Sequence, residues 1–210
     1  MRIEPRVRQD PLRAHDAAQA IVYLHGFRSS PASAKAGQLR AAVAALDAAS
    51  RPALFVPELS HRPSVAMAEI AAIAAGRDPA RLCFVGSSLG GFYAIVAAER
   101  HGARAVLINP AIRPDEALAA HAGVQTNLYT GAAFEVTAGH FAELRTMRVA
   151  RIMRPDRVFL LVETGDELLD YRDAVAFCGG AWQFVRGGGD HGFQAFAEQI
   201  PAILRFAGGS

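Results

Sequence analysis

Cysteine is scarce in this 210-residue chain: Cys83 and Cys178 are the only two. Both lie in apolar contexts, so they read as small core fillers and supply no disulfide framework. A reducing, cytoplasmic setting fits that usage. No cysteine–histidine cluster has metal-ligand spacing, and neither a metal nor a cofactor is expected. No apolar run reaches the ~18 residues of a membrane span. The N-terminus shows no apolar signal-peptide core, so no secretion signal is expected. Lysine is nearly missing as well, with Lys35 alone among 22 basic residues. Against 20 acidic residues the formal net charge is +2, too small to argue for nucleic acid. The glycines at 187–189 are followed by no lysine, which excludes a phosphate-binding P-loop.

What remains is a globular composition, 51% hydrophobic and 20% charged, long enough for one domain with a sizeable core. Short apolar runs at 21–24, 54–56, 81–85, 105–108, 157–162 and 181–185 read as strands. Helical patterns alternate with them at 32–48, 65–75, 92–99, 171–177 and 193–206. In the first helix Ser30 serves as N-cap and Pro31 as first-turn proline. This alternation predicts an α/β fold with a mostly parallel sheet of about six strands, covered by helices on both faces.

Two segments stand outside the alternation. Residues 1–20 read as an N-terminal extension; acids and prolines break up Arg2, Arg6, Arg8 and Arg13, so it is a frayed leader and not a binding patch. Residues 112–154 read as a cap-like insertion, because loops this long usually have a job. Phe134, Phe141, Leu144 and Met147 either line an apolar pocket there or pack the cap onto the sheet.

The chemistry starts at Gly86-Ser87-Ser88-Leu89-Gly90, a G-x-S-x-G motif between a strand and a helix. Such an elbow forces the central serine into a strained conformation and offers its hydroxyl as a nucleophile. Gly86 and Gly90 let strand and helix pass closely, and Gly91 relieves crowding further. Upstream, a strand ends in His25-Gly26-Phe27, where α/β-hydrolases place an oxyanion loop. The backbone N–H groups of Phe27 and Leu89 are the candidate oxyanion donors. His25 itself reads as a packed or loop-bracing residue, because the base should come last in the chain.

Downstream, the strand at 157–162 runs into Glu163-Thr164-Gly165-Asp166-Glu167. Asp166 is the candidate acid. Glu163 belongs to the strand end, and Glu167 points elsewhere. Asp170, the runner-up, is also a natural N-cap for the following helix. The final strand leads through Gly187-Gly188-Gly189 to Asp190-His191, which brings His191 forward as the general base and leaves Asp190 as a loop or cap residue. The order Ser88, Asp166, His191 is that of an α/β-hydrolase triad.

Several longer stretches then resemble one family. Tyr23-Leu24-His25-Gly26-Phe27-Arg28-Ser29-Ser30-Pro31, Val85-Gly86-Ser87-Ser88-Leu89-Gly90-Gly91, Asn109-Pro110-Ala111, Thr164-Gly165-Asp166-Glu167 and Gly188-Gly189-Asp190-His191 are similar to the YqiA/YcfP-like bacterial esterases, the UPF0227 group. The resemblance runs from about residue 21 to the end. It implies a compact α/β-hydrolase fold, esterase or acyl-thioesterase activity on small-molecule substrates, and Ser88, Asp166 and His191 as the catalytic residues. Other readings remain open at this point: a non-catalytic binding module on the same fold, or a triad acting on C–C or peptide bonds.

Overall fold

A computed structural model describes residues 20–208; the four arginines of the extension lie outside the described residues, whereas Ala20, counted with the extension, is the buried first residue of the first strand. In chain order the elements are β1 (Ala20–Leu24), α1 (Ala34–Ala44), β2 (Ala53–Phe55), α2 (Pro63–Ala74), β3 (Leu82–Ser87), α3 (Leu89–His101) and β4 (Arg104–Ile108). Then come α4 (Pro114–Ala117), β5 (Gly123–Thr126), β6 (Ala133–Val136) and α5 (Ala138–Met147). The last are β7 (Val158–Glu163), α6 (Tyr171–Phe177), β8 (Trp182–Arg186) and α7 (Phe196–Ala207).

Six strands form one sheet in the order β2-β1-β3-β4-β7-β8, parallel throughout. The apolar runs of β1, β3, β4 and β7 are unbroken because both faces are covered. Val22, Phe84, Leu107 and Leu160 pack on one side with α2 and α3. Their neighbours Ile21, Val85, Val106 and Leu161 pack on the other with α1 and α7. Cys83 and Cys178 are both buried and unpaired, and burial pushes each thiol up to about 12. No helix among the described residues is long and apolar enough to cross a membrane.

The strand order fixes where a site can form. The chain leaves β1 toward β2 on one side, then returns to place β3 on the other side of β1. The loops that follow β1 and β3 therefore face each other across a crevice at the carboxyl end of the sheet. One loop carries His25-Gly26-Phe27; the other carries Ser88.

Four helix starts differ from expectation: α2 and α3 begin early, at Pro63 and Leu89, and two others begin late for local reasons. Helix α1 begins at Ala34 with Ser33 as its N-cap residue, not at residue 32 with Ser30. Ser30 is occupied by a turn: its Oγ accepts from Ala32 N–H at 3.0 Å and its carbonyl from Ser33 N–H at 3.1 Å. The helix also ends early, at Ala44: Leu46 N–H turns back to the Val43 carbonyl at 3.2 Å, and Asp47 Oδ1 accepts from Ala49 N–H at 2.8 Å in the turn that follows. Helix α7 begins at Phe196, three residues late. Gln194 and Ala195 direct their N–H groups onto the Glu163 carboxylate instead of following a helical path.

The segment at 112–154 is not a bare excursion. It holds α4, the antiparallel β5–β6 pair and α5. Leu144 is buried in the main core and Met147 packs against it, which is the packing role. Buried Asp115 ties α4 to α5 through Arg145 at 3.0 Å and Arg148 at 2.5 Å.

Candidate active site

Ser88 stands at the tip between β3 and α3 with φ 57 and ψ −121. A side chain held in that region costs about 1–3 kcal/mol, so the surroundings must impose it. They do: Ser88 N–H donates to Ile108 O at 3.0 Å, and Ser88 O accepts from Gly91 N–H at 2.9 Å and Ala111 N–H at 3.1 Å. The flanking glycines are sterically required. A Cβ on Gly86 would run into the carbonyl of Gly90, and one on Gly90 into the carbonyl of Leu24.

The three side chains named from the sequence converge here. His191 Nε2 lies 3.0 Å from Ser88 Oγ, and its Nδ1 lies 3.0 Å and 2.9 Å from the two oxygens of Asp166. With its proton on Nδ1 the ring donates to Asp166 and accepts from the Ser88 hydroxyl. Asp166 Oδ1 also accepts from Leu168 N–H and Leu169 N–H, each at 2.9 Å. Desolvation pushes the Asp166 carboxyl up, but the hydrogen bonds from His191, Leu169 and Leu168 outweigh it and hold the group below its ordinary value. Asp170 stands apart as the N-cap of α6, accepting from Arg172 N–H at 3.0 Å.

Phe27 and Leu89 border the same crevice. Both line a cavity of about 330 Å³ together with Ser88, His191, Leu118 and Leu128. Leu89 is the first residue of α3, where backbone N–H groups are free of helical partners. The loop before Phe27 presses on the serine: a Cβ on Gly26 would sit 3.8 Å from Ser88 Oγ. His25 braces this loop from below. It is buried, its Nδ1 contacts Gly26 O at 3.0 Å, and its Nε2 accepts from Leu59 N–H at 3.2 Å. Burial pulls its pKa down, in keeping with a neutral ring.

The segment at 112–154 bolts onto the loop from above. Arg28 Nε donates to Thr126 O, Leu128 N–H to Arg28 O and Asn127 Nδ2 to Ser29 O, each at 2.9 Å. Arg28 has a left-handed φ of 57 to meet them. Phe134 lines a further cavity beside Leu89 and His61, which is the pocket role.

Three polar residues that the motif reading passed over hold the histidine loop. Glu163 is fully buried, and its carboxylate accepts from the N–H groups of Asp190, Gln194 and Ala195 at 3.1, 2.9 and 3.0 Å. Asn109, buried at the end of β4, donates to Asp190 O at 3.0 Å and His191 O at 3.2 Å while accepting from Glu163 N–H at 3.0 Å. Glu167 does not point away: its Oε2 accepts from His191 N–H at 2.9 Å. One signal was available, because a carboxylate ending a run as apolar as Val158-Phe159-Leu160-Leu161-Val162 needs buried donors.

Residues 20–208 match UPF0227, described as an uncharacterised protein family. The chain belongs to that family. Its fold is shared with solved α/β-hydrolases. Mouse alpha/beta hydrolase domain-containing protein 10 superposes with a TM-score of 0.68 at 16% identity, covering 90% of this chain and 89% of its own. A monoacylglycerol lipase from Paleococcus ferrophilus gives 0.65 at 16% identity, covering 93% of this chain and 97% of its own. Est1E from Butyrivibrio proteoclasticus gives 0.64 at 15% identity, covering 91% and 87%. Identities this low make the fold, not the substrate, the shared property. In this UPF0227 member the crevice, the elbow serine and the histidine loop occupy the carboxyl edge of the parallel sheet.

Proposed function

We propose that the protein is a serine hydrolase of carboxylic esters or acyl thioesters. The observation that carries the reading is the continuous hydrogen-bonded chain from Asp166 through His191 to Ser88 Oγ. His191 takes the serine proton as Ser88 Oγ attacks the acyl carbon. Asp166, kept ionised by its donors, fixes the ring tautomer and stabilises the imidazolium. The N–H groups of Phe27 and Leu89 receive the oxyanion, a contribution on the order of 3 kcal/mol per donor. His191 then protonates the leaving group, and water releases the acyl group from Ser88. The segment at 112–154 acts as a cap that shapes the acyl pocket, with Leu118 and Leu128 on its apolar wall. The mouse and Paleococcus ferrophilus neighbours are named as a hydrolase-domain protein and a lipase, and they support the reaction class.

A fluorophosphonate probe tests it. Ser88 becomes labelled in the wild type, Ser88→Ala abolishes labelling, and His191→Ala slows it strongly. A folded wild-type protein that resists the probe and turns over no ester or thioester removes the proposal.

A further inference from the structure

The only lysine of the chain stands beside the nucleophile. Lys35 lines a cavity of about 200 Å³ whose walls also include Ser88, His191, Ser29, Ser33 and Tyr129. This cavity differs in character from the apolar one lined by Leu118 and Leu128, although Ser88 and His191 belong to both. No ion pair holds the Lys35 ammonium among the described residues. Helix geometry does not explain the residue either. Lys35 is the second residue of α1, and a cation in the first helical turn opposes the helix dipole. Ser33, the N-cap of the same helix, is buried, and its hydroxyl interacts with that of Tyr23. An unpaired cation and a helix N-terminus share one cavity with the nucleophile. Both are satisfied by the same thing, an arriving anion.

We propose that this cavity is a subsite for a carboxylate carried by the substrate, bound by Lys35. The proposal rests on the hydrolase reading above and extends it: the substrate is an acidic ester or thioester, with its apolar arm toward Leu118 and Leu128. Burial pulls the Lys35 pKa down while Asp190 and Glu163 draw it up. A bound carboxylate offsets that burial directly.

The test compares matched ester pairs. In one pair the acid group sits on the acyl arm (a mono-p-nitrophenyl dicarboxylate against the p-nitrophenyl ester of equal chain length). In the other it sits on the alcohol arm (4-carboxyphenyl butyrate against phenyl butyrate). For each pair the readout is the ratio of kcat/KM for the acidic ester to that for the neutral one. In at least one pair Lys35→Met lowers this ratio about tenfold, and Lys35→Arg restores part of it. The wild-type ratio in that pair also falls as salt rises from about 0.01 M to about 0.5 M, a readout independent of any variant. A positioning role for Lys35 lowers both members of a pair together and leaves the ratio unmoved. Unmoved ratios in both pairs and no salt dependence, with neutral esters cleaved and Ser88 labelled, overturn the subsite and leave the hydrolase standing. Failure to label Ser88 or cleave any ester overturns both.

Discussion

Glu163 Oε2 accepts the backbone N–H of Asp190 at 3.1 Å, so a wholly buried carboxylate on β7 holds the residue immediately before His191. The same carboxylate gathers Gln194 and Ala195 on the far side of the histidine. Space for it exists because residue 189 is glycine with φ 74: a Cβ there would run into the Glu163 carboxylate. The histidine loop is therefore not placed by its own glycines. It is folded around one anion, with Asn109 bonded to the carbonyls of Asp190 and His191.

Replacing that anion should cost stability and turnover together. Glu163→Ala leaves three backbone donors without their acceptor, and each buried unsatisfied group costs about 1–3 kcal/mol. A loss of about 3 kcal/mol in denaturant unfolding is expected after partial rehydration of the loop. Glu163→Gln keeps one acceptor oxygen and should fall between. The ester kcat should drop in the same order, because His191 loses its fixed height above Ser88. Wild-type stability in Glu163→Ala would show that the loop is held by something else.

The two candidate acids separate cleanly. Asp166→Asn should lower kcat about 10⁴-fold, since an amide no longer fixes the ring tautomer. Asp170→Asn should leave turnover within a few-fold, because asparagine caps a helix about as well as aspartate. Steady-state rates on one p-nitrophenyl ester decide between them. Equal losses would contradict the hydrogen bonds that Asp166 accepts from the His191 ring.

Local chemistry explains which features were legible in the sequence. The strands at β1, β3, β4 and β7 are continuous apolar runs, and the elbow glycines announce themselves, so the sheet, Ser88 and His191 could be read directly. Asp170 was separable from Asp166 because a cap has its own position. Residues that act through long-range backbone contacts were not visible. Glu167 reaches an N–H 24 residues away and Glu163 reaches three beyond residue 189, and no spacing rule encodes such pairs. The late start of α7 has the same origin, a helix N-terminus surrendered to a distant carboxylate. The inner structure of 112–154 was hidden because its strands are four residues long and half exposed.

Acid should loosen the attachment of α5. His140 Nε2 meets His61 Nδ1 at 3.0 Å, the rings stack, and Arg62 and Glu143 pair alongside. Burial, then the nearby Arg62 and His61, lowers the His140 pKa, with Glu143 opposing. The folded protein thus takes up protons less readily than the unfolded chain, whose histidines titrate near about 6.5. Stability is fully present above that pH and declines as pH falls through the interval down to the folded-state value. His25 is shifted the same way and adds to the slope. His140→Gln, neutral at every pH and suited to the capping box with Thr137, should flatten the decline in part. Melting curves between about pH 7 and pH 5 provide the check, and a slope identical to wild type would remove His140 from the account.

One side chain of the segment both shapes its own turn and fastens it to the loop after β1. Asn127 Nδ2 donates to Ser29 O at 2.9 Å, while its Oδ1 accepts from Tyr129 N–H at 2.9 Å and Thr130 N–H at 3.1 Å. It shapes the 127–131 turn and fastens it to the residues after Phe27. Asn127→Ala should cost about 1–2 kcal/mol globally, a modest figure because the turn is exposed and water replaces part of what is lost. Its larger effect should fall on chemistry. In the proposed mechanism the Phe27 N–H stays aimed at the developing oxyanion, and a drift of about 1 Å is enough to cost on the order of 10²-fold. The expected pattern is therefore a fall in kcat out of proportion to the small drop in Tm, with KM for a short neutral ester little changed. Asn127→Asp retains the turn acceptor but not the donor to Ser29, so it should preserve most of the stability and still lose rate. A rate loss that merely tracks stability in both variants would mean that the loop holds Phe27 without help from above.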